Sequence, residues 1–237
     1  MQPYYQRLSP AVLPGEQLDQ LLGLGWYRMH QDIFTTSHIQ LDQVYRVHWL
    51  RYHIPAVVQR RSHQRLLKKS VAFSVTIKPY ETPSDELLQL HTQYLNEVDF
   101  EAAASIHEGL FGDLPDDDSI FNTMQLELRC GNELVAAGYF DLGKTSAASI
   151  LHFFNPAYAS YSPGKLLILH TLHYLKSIDI LFYYPGYVVA GNSKMDYKLF
   201  LGKDVAEYFN PINMSWEKFH DQLLEYEPFP WPVKSEE

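Results

Sequence analysis

The sequence predicts an α+β protein in which a central, mostly antiparallel sheet is flanked by helices and preceded by a small, basic, β-rich segment. Three observations predict it. Strand-like runs cluster in the second half and are joined by a tight-turn signal at Gly131-Asn132. A leucine-rich helical pattern then follows a loop and leads back into strands, which gives the order strand–loop–helix–strand. Finally, 237 residues at 46% hydrophobic and 20% charged make one large domain with a substantial core.

Each element has a local reason. Pro14-Gly15 precedes a short amphipathic helix over Glu16 to Leu22, which Gly23 or Gly25 stops. Trp26 to Ile54 is β-like, rich in aromatic and β-branched residues. Val57 to Lys69 is basic without a clear period, and Val71 to Ile77 alternates as a strand. Ser84 caps a helix carrying Leu87, Leu88, His91, Tyr94, Leu95 and Val98 at helical spacing. A second helix over Glu101 to His107 ends at Gly109, and an acidic loop runs from Gly112 to Ser119.

Beyond that loop, Met124 to Arg129 and Leu134 to Asp141 form a hairpin, and Ser149 to Phe154 is a third strand. Asn155 to Tyr161 is a loop. Ser162 as N-cap with Pro163 at the first helical position starts a helix reaching Ile178. It is expected to pack through Leu166, Leu169, His170 and His173 on one twisted sheet built from residues 122–200. Leu181 to Tyr184 and Gly186 to Val189 are further strands, and Ser193 to Leu199 closes the unit. The expected division is a basic domain over 1–80, an α+β domain over 81–213 and a C-terminal appendage over 214–237.

Charge is divided unevenly. Residues 1–80 hold ten Lys/Arg against four Asp/Glu, and the remainder holds nine against 24, for a net charge of −9. That asymmetry points to a basic part with an anionic partner. Five cations, Arg60, Arg61, Arg65, Lys68 and Lys69, fall within Gln59 to Lys69 and form either a solvated turn or a phosphate-tracking surface.

Several chemistries lack support. The single Cys130 excludes an internal disulfide and every multi-cysteine metal site. His38, His48 and His53, near Asp32 and Asp42, match no standard metal spacing, so no metal site is expected. No dinucleotide, P-loop, zincin or nucleophile-elbow motif is present. No apolar run reaches the roughly 18 residues a membrane span needs, and MQPYYQRLSP has no signal core. A soluble, cytoplasmic protein is expected. The helix start Ser162-Pro163-Gly164-Lys165 offers backbone N–H groups, an open glycine and a lysine to an anion. Lys194 and Lys198, four apart, share a face if that block is an α-helix.

Taken in order, these segments resemble the arginyl-/leucyl-tRNA–protein transferases. The family pattern F-x-P-x-x-x-x-x-S-x-G matches Phe154, Pro156, Ser162 and Gly164. Gly186-Tyr187 with Val189 matches its G-Y-x-[IV] stretch, and Lys194, Met195, Tyr197 and Lys198 match K-M-x-Y-K. Leu13-Pro14-Gly15, Gly25-Trp26-Tyr27-Arg28 and the basic run Arg61 to Lys69 agree more loosely. The chain departs from the family in having no cysteine before Cys130, and Asn192 stands where the family carries a cysteine ahead of K-M.

The resemblance implies a GNAT-like transferase domain that moves an amino acid from charged tRNA to the N-terminal amine of a protein or peptide. The aminoacyl-tRNA is the co-substrate and no other cofactor is implied. On this reading Tyr187, Lys194 and Tyr197 are the candidate catalytic residues. Ser162, Gly164, Lys165, Gly186, Asn192 and Lys198 bind substrate, and Arg60, Arg61, Arg65, Lys68 and Lys69 bind tRNA. Two other readings stay open: a GNAT-type N-acyltransferase using acetyl-CoA, and a non-catalytic descendant that binds tRNA or a protein N-terminus. The first lacks a Q/R-x-x-G-x-G pyrophosphate loop.

Overall fold

The structure, a computed structural model, describes residues 3–98, 102–115 and 118–226. Among them two sheets form. The small one has the order β1-β3-β2, from β1 (Tyr5–Leu8), β2 (Tyr27–Met29) and β3 (Asp32–Thr36), with α1 (Gly15–Gly23) between its first two strands. The large one has nine strands. Its order is β12 (Ser215–Lys218), β11 (Ala206–Asn210), β5 (Val44–His53), β10 (Phe182–Val189), β9 (Ser146–Phe154), β8 (Glu133–Leu142), β7 (Thr123–Cys130) and β6 (Phe73–Pro79), with β4 (His38–Gln40) added on β5. Every pairing in it is antiparallel except β10 with β9. The expected α+β architecture with a mostly antiparallel sheet and flanking helices is the one found.

Strand alternation divides the core between the two faces of the large sheet. Ala136 and Phe140 of β8 pack with Leu166, Leu169 and Leu172 of α5 (Pro163–Ser177). Ala137 and Tyr139 pack on the other face with Leu87 and Leu90 of α3 (Asp85–Leu95) and with α4 (Ile106–Phe111). The α5 packing differs from expectation in one respect. Leu166 and Leu169 are buried, but His173 is exposed and His170 half-buried, because the apolar arc centres on Ile168, Leu172 and Leu175 and leaves the imidazoles at its rim.

Other local expectations are corrected. The basic run without clear period contains α2 (Arg61–Lys69), with His63 buried. The second helix is α4 rather than Glu101 to His107: Ser105 accepts a hydrogen bond from the Glu108 amide, and Gly112, at φ +63°, ends the helix. Glu101, Asp116 and Asp117 lie outside the described residues, as does the tail from Glu227. The two segments around Pro185 join into one bulged strand, β10.

The boundary expected at residue 80 does not separate sheets, because β5 is hydrogen-bonded between β10 and β11 and β6 is paired with β7. Residues 215–218 of the expected appendage likewise form β12. No helix among the described residues is long and apolar enough to cross a membrane.

Candidate active site

The large sheet is split at its one parallel pairing. β9 and β10 are in register only at Ser146–Phe182, Ala147–Tyr183 and Ala148–Tyr184. Beyond that point both strands turn aside. β10 carries an extra residue against β5 between Tyr183 and Gly186, next to Pro185, which has no N–H to donate. β9 bulges where Tyr139 faces Leu151 and Phe140 faces Ser149. The hydroxyl of Tyr27, from the small sheet, bridges the apex of the fork, 2.6 Å from both the Ser149 and the Tyr184 carbonyl oxygens. Trp49 of β5 stacks on Tyr27 at 5.1 Å and meets Tyr187 edge-on at 5.0 Å.

Four polar side chains face the split. The β9 bulge breaks strict alternation, so Ser149 and His152, three apart, lie on one side, with Ser149 Oγ 2.9 Å from His152 Nε2. Lys198 donates to the Tyr187 carbonyl at 3.1 Å, and its ammonium sits 5.0 Å from the Tyr187 ring centre. Its own carbonyl accepts from the buried Tyr52 hydroxyl at 3.0 Å, which anchors this segment to β5. The Tyr183 hydroxyl is turned toward Ser149 without a hydrogen bond of ordinary geometry.

Two glycines make room. A Cβ on Gly138 would lie 2.7 Å from His152 Cδ2, and one on Gly186, at φ +100°, would lie 3.0 Å from Lys198 Nζ.

The enclosure sets the charges. Burial, reinforced by Lys198, pushes the His152 imidazole down to about 4, so it is neutral at physiological pH. Burial pushes the Lys198 ammonium down to about 8. It also raises Tyr183 to about 12 and raises Tyr187 and Tyr197. His152, Tyr187, Tyr197 and Lys198 nevertheless keep partial solvent exposure. The result is a fork of buried and half-buried groups that holds a hydroxyl, a neutral imidazole and a cation easily deprotonated.

Of the residues singled out from sequence, the fork gathers Gly186, Tyr187 and Lys198, with Tyr197 beside them. Lys194 is exposed. The Ser193–Leu201 segment is a 3₁₀ helix, in which residues four apart diverge by about 120° rather than sharing a face. Asn192 caps it, accepting from the Lys194 amide at 3.1 Å.

At the α5 start, Ser162 is left-handed and its side chain caps nothing; its carbonyl takes the Lys165 and Leu166 amides, leaving the Gly164 amide free. Lys165 lies 5.2 Å from the Phe200 ring centre.

In the basic segment, Arg60 bonds the Leu201 carbonyl and pairs with Asp204, a structural position. Arg61, Arg65 and Lys68 are exposed at helical i, i+4, i+7 spacing. Lys69 donates to the Ser160 carbonyl at 2.6 Å, so the basic helix abuts the loop leading into α5.

The family described as "Arginine-tRNA-protein transferase, C terminus" matches residues 86–203. The chain belongs to this family. It is an aminoacyltransferase of the tRNA-to-protein type, and the matched segment carries β7 to β10, α5 and Lys198, hence most of the fork. Relatives extend the likeness over nearly the whole transferase. An "Aspartate/glutamate leucyltransferase" of Leptospira interrogans is 26% identical over 243 residues, covering 96% of this chain and 91% of its own. A protein of that name from Aeromonas salmonicida is 28% identical over 198 residues, 79% of this chain and 76% of its own. The solved L-PGS of Bacillus licheniformis overlaps 76% of this chain and 51% of its own at TM-score 0.44 and 11% identity.

Sequence reasoning did not single out Ser149, His152 or Tyr27 as site residues. Strict strand alternation puts Ser149 and His152 on opposite faces, and only the bulge, invisible in the residues themselves, brings them together.

Proposed function

We propose that aminoacyl transfer takes place in the fork between β9 and β10, and that the transferred amino acid is leucine and the acceptor a peptide beginning with Asp or Glu. The observation that carries the placement is Lys198, held over Gly186 by the Tyr187 carbonyl where the strands part. The donor ester is already activated, so positioning and stabilisation of the developing oxyanion supply much of the rate. The Lys198 ammonium serves that oxyanion. The acceptor amine, with an ordinary pKa of about 7.7–8.0, is substantially neutral near physiological pH and needs little further help to attack.

The choice of leucine follows the relatives' names and a cavity of about 400 Å³ beside the fork, lined by Met29, Phe34, Ile39 and Tyr187 among others. Among the described residues no carboxylate lines it to pair a guanidinium, which favours an apolar side chain over arginine. The choice of acceptor follows the relatives' names alone.

On this reading Arg61, Arg65, Lys68 and Lys69 track the tRNA backbone, with the Gly164 amide and Lys165 beside them. Lys194 and Asn192 sit at the rim, Tyr197 lines the fork, and no cofactor is needed beyond the charged tRNA. A parallel strand pair joined by α5 and parting beyond three registers is the arrangement that supports a GNAT-like domain. The protein works in the cytoplasm, where charged tRNA is made.

The test is transfer of labelled amino acid from leucyl-tRNA or arginyl-tRNA to peptides that begin with Asp, Glu or Lys. Leucine should pass to the Asp and Glu peptides. Arginine passing instead would sink the leucine assignment, and labelling only of the Lys peptide would sink the acceptor.

A further inference from the structure

We propose that Ser149 is a catalytic residue of the transfer, moving the proton between the attacking amine and the departing tRNA oxygen, with His152 as the residue that positions and holds that proton. This rests on the placement of the reaction in the fork. Four features converge on the pair. The bulge in β9 exists at this point and turns Ser149 onto the side of His152. Gly138 on the neighbouring strand leaves space that any larger residue would take from the imidazole. The Ser149–His152 hydrogen bond is 2.9 Å, and the Ser149 carbonyl is separately held by Tyr27, so the residue is fixed at both ends. Burial, reinforced by Lys198, disfavours the imidazolium, so His152 rests neutral with an acceptor nitrogen and quickly gives up any proton it takes.

The step balances. The amine nitrogen attacks the ester carbonyl carbon, a C–N bond forms, and the carbonyl electron pair moves onto oxygen beside Lys198. The amine proton passes to Ser149 Oγ as the serine proton passes to His152 Nε2. On collapse the carbonyl re-forms and the C–O bond to the tRNA 3′ oxygen breaks, that oxygen keeping the electron pair. The proton returns from His152 through Ser149 to that oxygen, leaving a free tRNA hydroxyl. Both side chains end as they began, and no other reactant enters.

Single-turnover transfer from pre-bound leucyl-tRNA to an Asp-initiated peptide reads the assignment. Ser149→Ala removes one hydroxyl and should slow the step about 100-fold, with tRNA affinity, peptide KM and thermal midpoint unchanged. His152→Ala should slow it less, and added imidazole should restore part of the rate, which a purely structural histidine would not show. Transfer by Ser149→Ala within threefold of the unaltered chain overturns the assignment alone. So does His152→Ala that imidazole fails to rescue, which also decides the matter if Ser149→Ala does not fold. Absence of transfer by the unaltered chain overturns the placement in the fork together with it.

Discussion

Lys198 should destabilise the protein it serves. Its ammonium sits at about 8 against an ordinary 10.5, with burial as the cause. At ~1.4 kcal/mol per pH unit, holding it charged at neutral pH costs the fold about 3 kcal/mol. Lys198→Met keeps the volume, removes the charge and forfeits one hydrogen bond to the Tyr187 carbonyl, worth about 1 kcal/mol. The variant should therefore be more stable by about 1–2 kcal/mol, raising the thermal midpoint by about 2–8 °C for a chain of this size, while transfer is lost. The pH dependence has a fixed sign. The unfolded chain keeps the Lys198 proton up to 10.5 and the folded one only to about 8. The cost is thus constant below 8 and is relieved as pH rises from 8 to 10.5. Between pH 7 and 10.5 the gap between the two thermal midpoints should close and then reverse at the alkaline end, where the lysine keeps its hydrogen bond without the charge cost. A Lys198→Met protein less stable than the unaltered chain at pH 7 would refute the reasoning, because the lysine would then be holding the fold together.

Arg61→Glu with Arg65→Glu should weaken tRNA binding and flatten its salt dependence by about one in slope for each phosphate that is no longer neutralised; filter binding across salt concentrations checks this, and an unchanged slope marks a merely solvated face. Gly138→Ala, whose Cβ falls 2.7 Å from His152 Cδ2, should cost about 1–3 kcal/mol by overpacking and slow transfer by parting His152 from Ser149; wild-type transfer would rule this out. Tyr27→Phe should lose about 1–3 kcal/mol, since two carbonyls lose their shared donor; an unaltered urea midpoint would count against the hydroxyl's role in the fork. His48, His152 and His170 are held at about 4, each chiefly by burial. Their imidazoles charge more readily in the unfolded chain, so stability is full above about 6.5 and is lost as pH falls from there through 4; flat thermal midpoints between pH 7 and 4.5 would contradict this.

The elements legible in the sequence are those whose causes are local. Gly131, at φ +59°, turns the hairpin, and the leucines of α5 repeat at helical spacing behind Ser162-Pro163. The helix α2 escaped notice because its inward side is only His63 with Leu66 and Leu67, too little apolar surface to show a period. The fork itself depends on distance. The Tyr27 hydroxyl reaches carbonyls 122 and 157 residues away. Likewise β5 lies in the large sheet only because β10 and β11, over 120 residues downstream, take its two edges. The K-M-x-Y-K block marks a stretch that borders the fork, but which of its lysines enters the fork depends on the stretch being 3₁₀ rather than α.

The small sheet is tied to the proposed active site through two adjacent residues. Tyr27 and Arg28 of β2 point to opposite sides of their strand, as neighbours must. Tyr27 enters the fork, while Arg28 pairs with Asp141 of β8 at 2.8 Å, both side chains being almost wholly buried. The same guanidinium donates to Thr123 and to the Leu110 and His30 carbonyls, so four acceptors fix its position. A buried ion pair adds little net stability, yet breaking one costs about 3–5 kcal/mol. Its effect here is therefore on geometry. A slip of β2 by one residue would strand the Arg28 charge and drive Tyr27 out of the fork together, so the register that satisfies the charge is the register that seats the hydroxyl. The lining of the apolar cavity, Met29 and Phe34 from the small sheet with Tyr187 from β10, rides on that same register. The proposed amino-acid pocket and the fork beside it are thus set by one buried arginine outside the segment that defines the family.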